Sequence, residues 1–244
     1  MLPSTPHNPL RVLRPALLFD LDGTLVDTID LIVRSARHAF AQRPGPTPTD
    51  AEWIALIGTP LTSQLRRYAS SEDDFQLLVA SYRGYQREHH DRMTRCYDGA
   101  LETVRTLRQA GHRTAVVTSK MDELAWRALR LVGLDAYMDV MVGADQTTRH
   151  KPDPEPVALA LELLGVDPGD ALFVGDSPHD IAAGNAAGVA TVAALWGPFS
   201  REALDVAEPS CVIDDIRDLY RIVRNWEVVA PAGGRWPLSG DRST

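Results

Sequence analysis

Two aspartates, Asp20 and Asp22, stand one residue apart directly after the apolar run Ala16-Leu17-Leu18-Phe19. A carboxylate at the end of a run that reads as a buried strand needs a counter-charge or a ligand once it is desolvated. Ligands of open α/β sheets bind beyond the carboxyl ends of the strands. Asp22-Gly23 is also a tight-turn signal that would lead the chain into Thr24-Leu25-Val26, but a turn leaves Asp20 unexplained. A second acidic segment, Gly175-Asp176-Ser177-Pro178-His179-Asp180, follows another apolar run. Ser177 as N-cap, Pro178 at the first helical position and Asp180 three residues past the cap make a helix-start signal, which leaves Asp176 over. Two such strands side by side would let Asp20 and Asp176 share a Mg²⁺ ion through carboxylate or carbonyl oxygens, with waters and a substrate phosphate completing its shell.

Two further segments suit an anionic substrate. Thr118-Ser119 closes the run Thr114-Ala115-Val116-Val117, where hydroxyls and the amides opening a helix can cradle phosphate oxygens; alternatively Ser119 is a simple cap leading to Asp122. Lys151-Pro152-Asp153-Pro154 precedes another helical pattern and by itself reads as an exposed lysine ahead of an Asp153 cap and Pro154 at the first helical position. The set carries more weight than its members. A carboxylate pair, a hydroxyl, a lysine and a second acidic loop follow in that order, each at an expected edge of one sheet.

The elements that must position these groups are read from hydrophobic patterning. Ala16–Phe19, Thr114–Val117, Ala171–Val174 and Ala190–Ala193 are continuous apolar runs, as in strands covered on both faces. Met138–Val142 is a weaker run, and Cys211–Ile213 fits an edge strand. Helical patterns over 99–110, 121–131, 154–164 and 178–187 run into Gly111, Gly133, Gly165 and Gly188, each suited to the position beyond a helix end. This alternation predicts an α/β fold, a doubly wound parallel sheet. Between about residues 28 and 97 the alternation breaks. Ile29, Ile32, Val33, Ala36, Ala39 and Phe40 follow Asp27-Thr28 at helical spacing up to Pro44-Gly45-Pro46. Further helices are expected over 49–57, 60–69 and 72–91, with no convincing strand. The expected organisation is a core of residues 1–27 and 98–244, with about 228–244 a loose tail, and a small all-α domain of residues 28–97 inserted after the first strand.

Composition excludes several classes. The chain has 244 residues, 25 Lys+Arg against 33 Asp+Glu, and a formal net charge of −8. Without clustered basic residues it is not expected to bind nucleic acid. Hydrophobic residues are 44% of the chain, which argues against disorder. No apolar run approaches the length of a membrane span, Asp20 interrupts the only candidate leader core, and the distant Cys96 and Cys211 suit a reducing compartment. A cytoplasmic protein without membrane association is expected, as a monomer or homodimer.

At Asp20-Leu21-Asp22-Gly23-Thr24-Leu25-Val26-Asp27, Thr118-Ser119, Lys151-Pro152-Asp153-Pro154 and Val174-Gly175-Asp176-Ser177 the chain resembles haloacid dehalogenase superfamily hydrolases, in the phosphatase branch with a helical cap after the first strand. The resemblance runs from Ala16 to about Tyr220. Lys151–Pro156 together with His179-Asp180 is similar to phosphoglycolate phosphatases and the pyrophosphatases near them, and Glu88-His89-His90-Asp91 followed by Tyr97-Asp98-Gly99 is more like the pyrophosphatase group. A histidine-rich stretch of this kind otherwise reads as solvated surface. The resemblance implies a Mg²⁺-dependent hydrolase acting on a small phosphorylated substrate. Asp20 would be the nucleophile, and Asp22 the acid and base. Asp20, the Asp22 carbonyl and Asp176 would be metal ligands. Thr118, Ser119, Gly23 and Lys151 would be phosphate-binding groups, with Thr118 and Lys151 also catalytic. Asp180 would be either an outer ligand or a group orienting Lys151. Asp22 sets the chain apart from dehalogenases and phosphonate hydrolases. Gly58 is followed by Thr59-Pro60-Leu61-Thr62 where sugar phosphomutases carry a basic residue, which weakens a phosphomutase reading. A phosphate-binding module without turnover would have no need of Asp22.

Overall fold

The computed structural model describes residues 14–41 and 43–229, with the side chains of 227–229 left aside. The chain opens with β1 (Ala16–Phe19), in which Leu17 and Phe19 enter one apolar cluster while Ala16 and Leu18 enter another. Side chains alternate across a strand, so a run buried on both faces must be apolar at every position. Each large side chain buried this way contributes roughly 1.5–3 kcal/mol.

After β2 (Val26–Asp27) come α1 (Ile29–Ala41), α2 (Asp50–Ile54), α3 (Leu61–Arg66) and α4 (Glu72–Met93). This helical block has its own core, in which Phe40 meets Trp53 and Tyr68 edge-on at 5.6 and 5.4 Å. Thr49 and Glu52 form a capping box at the start of α2, and Ser71 caps α4. The block is joined to the rest by an antiparallel ribbon of β2 with β3 (Arg95–Cys96), pairing Val26 with Cys96 and Asp27 with Arg95. The expectation of no strand between 28 and 97 is corrected here, because two residues are too few to show an alternating pattern.

The remainder alternates: α5 (Ala100–Gln109), β4 (Thr114–Val117), α6 (Asp122–Val132), β5 (Val140–Val142), α7 (Glu155–Leu164), β6 (Ala171–Gly175), α8 (Pro178–Ala187), β7 (Ala190–Ala194), α9 (Arg201–Asp205), β8 (Cys211–Ile213) and α10 (Leu219–Val229). The helix C-caps at Gly133, Gly165 and Gly188 are left-handed, as their sequence positions predict. The sheet is parallel throughout, in the order β5-β4-β1-β6-β7-β8. Met138 lies outside β5 because a short 3-10 turn over Asp135–Tyr137 precedes it, although its side chain still packs on the core. Two residues of the expected tail, 228 and 229, complete α10; the rest of that tail lies outside the described residues.

The sheet order fixes the position of the site. β1 is central, and the chain leaves it toward β4 and β5 before returning to β6 on the other side. Such a reversal opens a crevice at the carboxyl ends of the strands. Phe19 is in register with both Val116 and Val174, so Asp20, Thr118 and Asp176 emerge at nearly one level. Among the described residues no helix is long and apolar enough to cross a membrane.

Candidate active site

Asp20 follows β1 with its amide bonded to the Val174 carbonyl at 2.9 Å. Its carboxylate is 4% exposed. Lys151, expected to be exposed if it merely preceded a helix, is only 2% exposed. Its Nζ donates to Asp20 Oδ1 at 2.8 Å, Asp180 Oδ1 at 2.5 Å and the Val117 carbonyl at 3.2 Å. Among the described residues Asp20 Oδ2 receives no hydrogen bond. Asp153 Oδ1 accepts from the Glu155 amide at 2.9 Å, but the expectation of an Asp153 cap with Pro154 at the first helical position is corrected by one residue: Pro154 holds the N-cap position and α7 starts at Glu155.

Asp176 is fully buried beyond β6. Thr24 Oγ1 donates to its Oδ1 at 2.6 Å, whereas its Oδ2 is buried with no hydrogen-bond partner among the described residues. Asp20, Asp176 and Asp180 each offer an oxygen within 4.8 Å of the others. Three carboxylates thus surround one ammonium, an excess of two negative charges. The orphaned Asp176 oxygen, the hard oxygen donors and this excess all fit a divalent cation of the Mg²⁺ kind. Burial, then the neighbouring Asp180 charge, pushes Asp20 up to about 7 against the pull of Lys151. Burial followed by the charges of Asp20 and Asp180 raises Asp176 as well. Burial disfavours the Lys151 ammonium, but Asp180 and Asp20 outweigh it and hold the lysine protonated, above its ordinary range.

Asp180 serves two neighbours. Its Oδ2 closes the expected capping box, accepting from Ser177 N at 3.0 Å and Ser177 Oγ at 2.6 Å, while Oδ1 holds Lys151. Both oxygens of Asp180 are thus engaged within the protein, one by Lys151 and one by Ser177.

Asp22 turns away from the acidic cluster. Thr28 Oγ1 donates to its Oδ1 at 2.5 Å, and Lys120 Nζ also pairs with Oδ1. Both anchors fall on one oxygen, and among the described residues Oδ2 of this cavity-lining residue accepts no hydrogen bond. Lys120 and Thr28, which hold Asp22, are not singled out by the sequence reading. Lys120 directly follows Thr118-Ser119, which was the available signal, but its burial depends on Asp22, 98 positions away.

Gly23, expected to bind the phosphate, lies against Asp176. Its amide is spent on the Val26 carbonyl at 2.9 Å, and at φ +93° a Cβ would lie 2.3 Å from Asp176 Oδ2. Its bareness makes room for Asp176 under the turn. Thr118 is 4% exposed and lines the cavity, its Oγ1 accepting from the Lys120 amide at 3.2 Å. Ser119 does not cap α6: Met121 holds that position, and the Asp122 amide donates to Asp145 Oδ1 at 2.8 Å. The Ser119 hydroxyl instead donates to the Gly58 carbonyl of the helical block at 2.6 Å. At Gly58, φ +97°, a Cβ would come 2.7 Å from Ser177 Oγ, so only glycine lets this loop settle onto the core.

Between floor and roof lies a cavity of about 330 Å³. Asp20, Asp22, Thr118, Ser119 and Lys120 line the floor, and Ile32, Ile57, Leu61 and Tyr82 line much of the roof. His90 corrects the expectation of a solvated surface. It is fully buried, with Nδ1 2.7 Å from Asp91 Oδ1, because Tyr82, Gln86 and His90 recur at spacing four along the inward face of α4.

A parallel sheet with a buried acidic cluster and a lysine at the carboxyl ends of its central strands, roofed by a helical block, defines a doubly wound α/β protein with an acidic site under a helical insert. The model of the haloacid dehalogenase-like hydrolases matches residues 17–194. A relative from Caldanaerobacter subterraneus subsp. tengcongensis is 42% identical over 209 residues, 86% of this chain and 94% of its own length. Pyrophosphatase PpaX of Halalkalibacterium halodurans is 37% identical over 207 residues, 85% of this chain and 95% of its own. A crystal structure from Haemophilus somnus, described as a predicted phosphoglycolate phosphatase, superposes with a TM-score of 0.80 at 27% identity, covering 87% of this chain and 99% of that one. The chain belongs to the haloacid dehalogenase-like hydrolase family.

Proposed function

We propose that this hydrolase is a Mg²⁺-dependent phosphatase that cleaves pyrophosphate or a small phosphorylated metabolite through an aspartyl-phosphate on Asp20. The observation that carries the reading is the convergence of Asp20, Asp176 and Asp180 around Lys151, with Asp22 held separately on the same cavity. The relatives named as pyrophosphatase and phosphoglycolate phosphatase support both substrate classes. Asp20 Oδ2 attacks phosphorus while the bond to the leaving oxygen breaks, and the Asp22 carboxyl gives that oxygen its proton. Water then attacks the phosphorus of the aspartyl-phosphate, Asp22 takes its proton, and phosphate leaves with Asp20 restored. Lys151 steadies Asp20 and the phosphoryl oxygens, Thr118 donates to the latter, and Asp180 keeps Lys151 in place. A Mg²⁺ ion held by Asp20 and Asp176 would offset the repulsion between the anionic nucleophile and the anionic phosphate. The intact, doubly anchored Asp22 speaks against a binding module without turnover. Phosphate release from pyrophosphate, 2-phosphoglycolate and sugar phosphates, measured side by side with and without Mg²⁺, tests the reading; metal-independent release, or phosphate moved within a sugar without release, would reject it.

Metal addition should also be visible without substrate. At a Mg²⁺ concentration about 100-fold above Kd the folded state gains about 2.7 kcal/mol, roughly 5–10 °C of unfolding midpoint for a chain of this size. Asp20 is raised in the folded protein to about 7 from an unfolded value of 3.8. Its contribution to metal-free stability therefore falls as pH rises through that window. Binding needs the carboxylate form, so the Mg²⁺ shift should be larger at pH 8 than at pH 6. An equal shift in an Asp176→Asn variant would place the ion elsewhere.

A further inference from the structure

The roof of the cavity carries polar groups that the chemistry above does not use. Arg83 and Gln86 of α4 face it beside Ile32, Ile57 and Leu61, and residues three apart on a helix share a face. Gln86 is only 7% exposed, yet among the described residues its amide makes no hydrogen bond. The Arg83 guanidinium forms no ion pair among the described residues; its polar contact is Met121 Sδ, 3.4 Å away on the core side of the cavity. Lys120, the floor's cation, is by contrast already paired with Asp22. A guanidinium without an ion pair and an amide without a hydrogen bond, in a wall they share with Ile32, Ile57 and Leu61 and with the polar Thr59, Thr62 and Gln64, are the kind of convergent polar groups that fix a ligand's orientation. The cavity, about 330 Å³, leaves room beyond a single phosphoryl group for them to be reached.

The geometry points to Arg83, with Gln86 beside it, as the specificity-determining pair: it receives an anionic group on the leaving-group side, so the favoured substrates are phosphate compounds whose leaving group carries a negative charge of its own. This rests on the phosphatase reading above, which supplies the orientation of the scissile bond. A terminal phosphate and a carboxylate present the same pair of oxygens to a guanidinium, which matches either in a fork-to-fork contact. An uncharged leaving group leaves Arg83 and Gln86 without partners, and a site with unmet polar groups discriminates against such a substrate.

Arg83→Gln, with Arg83→Lys as the conservative variant, tests this on the full chain. Calorimetric titration with methylenediphosphonate in the presence of Mg²⁺ needs no turnover, and methylphosphonate is the probe lacking the second anion. Arg83→Gln is expected to weaken the first by about 10- to 100-fold and the second by at most about threefold, with Arg83→Lys between wild type and Arg83→Gln. In kinetics the loss of kcat/KM on pyrophosphate or 2-phosphoglycolate should exceed that on p-nitrophenyl phosphate by about tenfold or more, mainly through KM. Which of the two is lost identifies the anion as a terminal phosphate or a carboxylate. Equal losses on all probes, or none, overturn the assignment. Methylenediphosphonate binding that depends on Arg83, with no ester or anhydride hydrolysed, upholds the assignment and refutes the phosphatase reading instead.

Discussion

Asp20→Asn is expected to lower phosphate release by on the order of 10⁴-fold or more, since it removes the group that forms the covalent intermediate. It should do so while making the metal-free protein more stable. Asp20 is buried against Asp180 and Asp176, and holding it ionised above pH 7 costs the fold free energy because its folded value is about 7. Asparagine keeps an acceptor for Lys151 and drops the charge. A gain of roughly 1–3 kcal/mol in urea unfolding at pH 8 without Mg²⁺ follows from linkage; it shrinks as pH falls and vanishes below about pH 3, under the unfolded value of 3.8, where the wild-type carboxyl is protonated in both states. A variant that is inactive because it is unfolded would show the opposite sign. Undiminished turnover would reject Asp20 as the nucleophile.

The second large effect is expected at Lys151. Lys151→Met leaves Asp20, Asp176 and Asp180 facing one another with no ammonium among them. Removing one partner of a buried ion pair costs about 3–5 kcal/mol. Activity should fall by on the order of 10³-fold, because neither the nucleophile nor the phosphoryl oxygens keep their cation. The stability deficit should be larger at pH 8 than at pH 5, where protons replace the missing charge, and Mg²⁺ should recover more stability in the variant than in the wild type. Denaturation curves at the two pH values, each with and without Mg²⁺, separate these expectations; a deficit independent of pH would mean that Lys151 supports the fold by packing alone.

The sequence made the sheet legible because a parallel strand buried on both faces is a continuous apolar run, as at Ala16–Phe19 and Thr114–Val117. Asp20 and Asp176 stood out for a related reason: each remained unexplained after the turn and cap signals around it were accounted for. What escaped depended on parts of the chain far apart in sequence. Lys120 after Ser119 looks like an ordinary solvated lysine until the turn that carries Asp22 comes within reach. Ser119 looks like a helix cap until Gly58, 61 positions away, presents a carbonyl. His90 looks like surface because its neighbours Glu88 and His89 are polar, and only the spacing of four from Tyr82 and Gln86 betrays its face. Local signals specified elements and their ends; side-chain partners across the cavity required the tertiary approach of those elements.

The ribbon of Val26–Asp27 against Arg95–Cys96 has a wider consequence. Entry and exit of the helical insert lie side by side and are hydrogen-bonded to each other, so the chain passes into and out of the insert at one place. A foreign block of different length spliced between these pairs should leave the sheet's register untouched, provided it retains a hydroxyl at the place of Thr28 to steady Asp22. On the proposed function, selectivity would then be exchangeable through the insert while the groups at the ends of the sheet stay in place.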